Sequence, residues 1–168
     1  MTIRPARPDD LPTMRELERA AAEVFRTVDM AAVADDEPEP LPVLAAFQED
    51  GRAWVHTAPD DRPVAYLLVS EVDGHAHVVQ VSVHPDHARR GLGAALIEHA
   101  RRWALTRGIT TMSLTTFADV AWNGPYYARL GFTVLPDDEV TGGLRAIRDD
   151  EDARGLDRWP RVVMVRRA

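Results

Sequence analysis

The residues Val78–Leu96, VVQVSVHPDHARRGLGAAL, constrain this chain more than any other segment. A valine-rich apolar run stops at His84-Pro85. A short basic loop follows, and Arg89-Arg90-Gly91-Leu92-Gly93-Ala94 opens directly into a helical pattern with Leu92, Leu96, Ala100 and Trp103 at core spacing. The order is strand, loop, glycine turn, helix. The first N–H groups of a helix have no carbonyl partner within it, and the helix dipole adds positive potential at that end. Gly91 and Gly93 let main chain come close to a ligand, and Arg89 and Arg90 bring mobile positive charge beside it. Together these make a cradle for a pyrophosphate.

A Gly-x-Gly pair alone often marks only a turn, so the flanks carry the argument. The third glycine of a dinucleotide fingerprint is missing, as is an acidic residue at the end of a second strand. The Gly-Lys-Ser/Thr ending of a triphosphate loop is missing too. The chain has no lysine; all 20 basic residues are arginine. A bound pyrophosphate is therefore expected to belong to neither NAD nor ATP.

The segment resembles the acyl-CoA-binding motif of the GNAT N-acetyltransferase superfamily, Gln/Arg-x-x-Gly-x-Gly/Ala after a strand, with Ala88 where Gln or Arg is usual. A later segment, Trp122-Asn123-Gly124-Pro125-Tyr126-Tyr127-Ala128-Arg129-Leu130-Gly131-Phe132, is similar to the family's second motif, a helix ending in Tyr-x-x-x-Gly-Phe. The resemblance implies acetyl transfer from acetyl-CoA, as co-substrate, to a primary amine of a small molecule or peptide, by direct attack in a ternary complex. It implies pyrophosphate binding by the N–H groups of Arg89, Arg90, Gly91, Leu92, Gly93 and Ala94. It lays the pantetheine arm along the strand edge Val81-Ser82-Val83, where free N–H and C=O groups would pair with its amides. Core packing alone is the simpler role for Val81 and Val83.

Tyr127 matches the family's general-acid tyrosine, and a phenol with an ordinary pKa of about 10 suits protonation of a thiolate. Its neighbour Tyr126 competes, but adjacent helix positions point roughly 100° apart, so one of the two faces the thioester. Asn123 either hydrogen-bonds the cofactor or caps the helix that Gly124-Pro125 begins. For a general base, relatives carry a glutamate on the fourth strand. Here that strand reads Ala76-His77-Val78-Val79-Gln80, so His77 is the tentative base, with Gln80 beside it and Glu71 and Glu23 further off. Loss of the amine proton to water needs no side chain at all. His75 and His77 share a strand face, but no third ligand accompanies them, so no metal is expected.

The rest of the chain fits this frame. The expected order is β-α-α-β-β-β-α-β-α-β-α-β: an α/β (α+β) mixed, mostly antiparallel sheet with helices on both faces. In the GNAT fold, strands four and five splay apart to admit the cofactor. Residues 1–168 are expected to form one acetyltransferase domain. Asp9 or Asp10 is expected to cap the first helix, whose apolar positions include Leu11, Met14, Leu17 and Ala21. Asp73-Gly74 signals a hairpin. The net charge of −7 argues against nucleic-acid binding. No stretch is apolar and long enough for a membrane span, and the N-terminus has no signal-peptide core, so a cytoplasmic location is expected. Zero cysteines exclude disulfides and thiol chemistry. Alanine and arginine without lysine point to a GC-rich bacterial genome. Dimers are common in the family, so a homodimer is open. The acidic segments 35–39 and 149–152 favour a cationic acceptor. The missing strand-four glutamate also motivates an alternative: a degenerate, acyl-CoA-binding sensor.

Overall fold

The computed structural model describes all 168 residues. They group into two compact units, one of Met1–Val69 with Val79–Ala100, the other of Ser70–Val78 with Arg101–Ala168. Seven strands are hydrogen-bonded in the order β1-β2-β3-β4-β5-β7-β6.

The first unit starts with β1 (Thr2–Pro5), antiparallel to β2 (Ala53–Thr57), which is antiparallel to β3 (Pro63–Val72). Helix α1 (Leu11–Ala22) buries Leu11, Met14 and Leu17, the stripe its periodicity predicts. That stripe packs with Leu44 of α3 (Leu41–Glu49), Val55 of β2 and Tyr66 and Leu68 of β3. Asp10 does not cap α1 with its side chain. Its carboxylate accepts the Arg7 N–H at 2.7 Å and both terminal nitrogens of Arg4, at 2.7 and 3.1 Å, because a 3₁₀ turn at Pro8–Asp10 carries it back toward β1. A short helix that the sequence did not announce, α2 (Ala31–Ala34), precedes the acidic segment. There Asp35 pairs with Arg26, and Glu37 with Arg15 and Arg19, so part of its charge is neutralised within the molecule. β4 (His75–Val83) forms a hairpin with β3, and α4 (Leu92–Leu105) follows the glycine turn.

The second unit is built on β5 (Thr111–Phe117) and β7 (Arg161–Arg167), antiparallel from Thr111↔Arg167 to Phe117↔Arg161. β6 (Thr133–Val134) pairs with the other edge of β7. Between β5 and β6 lies α5 (Gly124–Arg129), and α6 (Gly142–Ala153) buries Leu144 against Leu135, Val163 and Val165. β4 and β5 are parallel and pair at Ala76↔Met112 and His77↔Ser113. A parallel pairing this short is what strands that part early produce, and the β1–β2, β2–β3, β5–β7 and β6–β7 pairings are antiparallel. The sheet is thus mixed and mostly antiparallel, as the sequence predicts. Glu151 of the acidic 149–152 segment points inward. It is 6% exposed and bonded to Arg161 at 2.8 Å, Arg148 at 3.1 Å and Thr115 at 2.6 Å. That carboxylate holds the unit together and is not offered to a cationic acceptor.

Candidate active site

The glycine turn takes the form the sequence requires. A 3₁₀ turn at Pro85–His87 is held by the Asp86 N–H donating to His84 Nδ1 at 3.1 Å. Arg89 (φ 62°) and Gly91 (φ 74°) both adopt left-handed backbone, so the chain turns sharply on either side of Arg90. The first helical bond of α4 runs from the Ala95 N–H to the Gly91 carbonyl at 3.0 Å. The N–H groups of Arg89, Arg90, Gly91, Leu92, Gly93 and Ala94 donate to no backbone carbonyl. The Arg89 and Arg90 side chains are exposed and make no internal ion pair. Six free donors, two mobile guanidiniums and a helix dipole meet over one turn, and an anion with several oxygens satisfies them together.

Preceding that turn, Val81 and Val83 are half-buried and Ser82 is 3% exposed. Pairing of β4 with β5 stops at His77, so this end of β4 has β3 on one side and no register partner on the other. Its free edge fits an extended amide-bearing chain.

In the second unit, Tyr127 lies on the six-residue α5. Gly124 begins that helix where main chain crowds it: a Cβ there would sit 2.6 Å from the Ala118 carbonyl oxygen. Tyr127 is 9% exposed, with ring contacts to Tyr126 (5.3 Å) and Phe132 (6.0 Å). Its carbonyl accepts from Leu130 and Phe132, which closes the helix at Gly131. Burial pushes its hydroxyl above the ordinary phenol range, so it keeps its proton throughout the neutral range. Tyr126 is less buried and has the Arg129 guanidinium over its ring at 5.9 Å. Asn123 makes no side-chain cap to α5. Its Nδ2 donates to the Trp122 carbonyl at 3.2 Å, while its buried Oδ1 has no partner. Of the two roles open to it in the sequence, the uncapped helix leaves the acceptor atom available for a ligand.

His77 is 4% exposed, and its Nδ1 lies 2.9 Å from Ser113 Oγ. Burial takes its pKa down to about 4, so the ring is neutral at pH 7 and holds a proton weakly. No group of three metal-capable side chains is assembled.

Sequence reasoning passed over Glu18 of α1. It lies four residues after Met14 and seven after Leu11, inside the apolar stripe, and that misplaced acid was the available signal. Its Oε2 accepts the Tyr66 hydroxyl at 3.1 Å, and Tyr66 is fully buried. Burial, with Glu39 and Asp36 nearby, raises its pKa to about 7.

Comparison with known proteins places this architecture. The acetyltransferase (GNAT) family model matches residues 11–132, and the chain belongs to that family. It is 38% identical over 73 residues to the [ribosomal protein bS18]-alanine N-acetyltransferase of Salmonella typhimurium, covering 44% of this chain and 49% of that one. It is 34% identical over 100 residues to the mycothiol acetyltransferase of Nocardiopsis dassonvillei, covering 56% of this chain and 30% of that one. The chain thus matches about half the length, or less, of these curated relatives. In fold it resembles the PaiA N-acetyltransferase of Thermoplasma acidophilum in complex with coenzyme A, with a TM-score of 0.73, 14% identity, and coverage of 99% of this chain and 98% of that one.

Proposed function

We propose that the protein is an acetyl-CoA-dependent N-acetyltransferase, with residues 1–168 acting as one domain, that acetylates a primary amine of a small molecule or peptide. The observation that carries this reading is the run of unsatisfied N–H groups from Arg89 to Ala94 at the start of α4, flanked by two uncommitted arginines. The residues fit a CoA pyrophosphate. Main-chain donors tolerate Ala88 in place of Gln or Arg, because the side chain at that position adds little to a main-chain cradle. When bound, acetyl-CoA supplies the activated thioester acetyl group.

The chain's own residues have these roles. The N–H groups of Arg89 to Ala94 bind phosphate oxygens, with Arg89 and Arg90 adding charge. Val81, Ser82 and Val83 align the extended arm through main chain. Asn123 Oδ1, buried and without a partner, is the acceptor that the family resemblance assigns to the cofactor. Tyr127 keeps its proton at Oη, because burial raises its pKa, and the hydroxyl offers a hydrogen bond to the departing thiolate as charge develops on sulfur. His77, neutral and bonded to Ser113, is too weakly basic at about 4 to draw a proton from an ammonium, so its part in this reading is to hold β4 against β5.

One observation favours a second reading, a module that binds acyl-CoA without turning it over: β4 carries no carboxylate. Calorimetric titration with acetyl-CoA, CoA, NADH and ATP, with thiol release followed over a panel of primary amines, decides between the two. Micromolar acetyl-CoA binding, about −8 kcal/mol, with amine-dependent thiol release supports the transferase. Binding without release supports the module. Absence of acetyl-CoA binding refutes both.

A further inference from the structure

The proposed transferase lacks a group to accept the amine's proton, and β4 offers none. The first unit contains one. Two hydrogen bonds frame it: Gln80 Nε2 donates to Ser82 Oγ at 2.8 Å, and the Tyr66 hydroxyl, which has Ser82 nearby, donates to Glu18 Oε2 at 3.1 Å. Glu39 and Asp36, in the loop before α3, lie near the Glu18 carboxylate. The Glu18 carboxylate is thus held from β3, by the Tyr66 hydroxyl. Ser82 belongs to the strand segment assigned above to the cofactor's arm.

As a structural element this arrangement is costly. A half-buried carboxylate shares a helix face with Leu11 and Met14, and no arginine pairs with it. Arg15 and Arg19 on the same helix turn instead to Glu37, and Arg19 also to Glu16. The charged and titratable groups facing Glu18 are Tyr66 from β3 and Asp36 and Glu39 from the loop. Only Tyr66 stabilises its ionised form by a side-chain hydrogen bond; the two acids oppose it. A carboxylate kept in such surroundings, mostly buried yet not sealed from solvent, and tuned toward neutral pH, has the properties of a proton acceptor.

We propose that Glu18 is the general base: its carboxylate receives the acceptor ammonium and takes one proton from it. An N–H bond of R–NH3⁺ breaks, an O–H bond forms on Glu18, and the amine is left neutral with its lone pair free to attack the acetyl carbonyl. The acceptor is therefore a primary amine that arrives charged. This inference rests on the transferase reading.

The test compares wild type, Glu18→Gln and Tyr66→Phe. Acetyl-CoA binding is measured by calorimetry, folding by melting temperature, and kcat/KM against pH with spermidine, tyramine and an alanine-initiated hexapeptide as probes. Wild type is expected to show an ascending limb near pH 7. Glu18→Gln is expected to bind acetyl-CoA as wild type does, to lose about 100-fold or more in kcat/KM, and to lose that limb. Tyr66→Phe removes the hydroxyl that favours the ionised carboxylate, so its limb moves to higher pH, a displacement that a purely structural role would not give. The inference is overturned if Glu18→Gln keeps its rate within about threefold with the limb in place. It is also overturned if acetyl-CoA binds yet none of the three amines releases thiol. Failure of wild type to bind acetyl-CoA instead refutes the reading beneath it.

Discussion

Gly124 and Gly142 each begin a helix, and replacing each by alanine is expected to change stability in opposite directions. At Gly142, first residue of α6, an added Cβ meets nothing within 4 Å, and the residue is not in left-handed backbone. Alanine there restricts the unfolded chain and suits the helix, so Gly142→Ala is expected to stabilise by roughly 0.4–1 kcal/mol. At Gly124, first residue of α5, the same helical gain applies, but the Cβ falls 2.6 Å from the Ala118 carbonyl oxygen and 3.1 Å from both the Ala118 carbonyl carbon and the Phe117 oxygen. All three are main-chain atoms, so no side chain can swing away, and overpacking of this kind costs typically 1–3 kcal/mol. The steric cost exceeds the propensity gain, and a net loss of about 1–2 kcal/mol corresponds to a fall in Tm of roughly 2–8 °C for a chain of this size. The relief is a displacement of α5, which carries Tyr127, so kcat is expected to fall while acetyl-CoA binding at the Arg89–Ala94 turn stays near wild type. Urea denaturation and calorimetric melting of the two variants side by side are the assay. If Gly124→Ala melts at or above the wild-type temperature, the close approach of α5 to the end of β5 is not a constraint, and the argument from it fails.

Tyr127→Phe keeps the packing with Tyr126 and Phe132 and removes only the hydroxyl. Acetyl-CoA affinity should be unchanged and kcat lower by about 100-fold, and an undiminished kcat would remove Tyr127 from the reaction. Glu151→Ala leaves Arg161, itself 7% exposed on its side chain, buried without its carboxylate; stability should drop by about 3–5 kcal/mol, read as a fall in urea midpoint. For His77, burial sets the folded pKa near 4, below the 6.5 of an ordinary imidazole. Its contribution to stability is therefore fully present above pH 6.5 and is lost as pH falls toward 4, because the unfolded chain takes up the proton first. Denaturation midpoints of wild type and His77→Asn measured across that window should converge as the pH is lowered.

Much of the fold was legible because its signals are local. Valine runs and Asp73-Gly74 set strand boundaries without reference to distant residues, and the glycine turn before α4 follows from conformational rules that apply to a few consecutive residues. The site was legible where it is main chain or a short motif, as at Arg89–Ala94 and around Tyr127. It was obscure where side chains from distant parts of the sequence meet. Glu18 gained its environment from Tyr66, 48 residues on, and Glu151 from Thr115, 36 residues back. Asp10 looked like a helix cap until Arg4 and a 3₁₀ turn competed for its carboxylate. Asn123 had the right residue type for a cap, yet its backbone, at φ −117° and ψ −110°, turns the side chain away from the first turn of α5. Neither outcome is encoded in the few residues around it.

Asp73 closes the β3–β4 hairpin, and its carboxylate also accepts the Gly143 N–H at 3.1 Å, the Leu144 N–H at 3.0 Å and the Thr141 hydroxyl. The first turn of α6 is thus secured by a residue that lies 70 positions earlier. During synthesis the anchor emerges well before the helix that needs it, and α6 gains its N-terminal hold only where the hairpin has already turned. In amide exchange, Gly143 and Leu144 therefore act as distant reporters on the opening of a turn in another part of the chain.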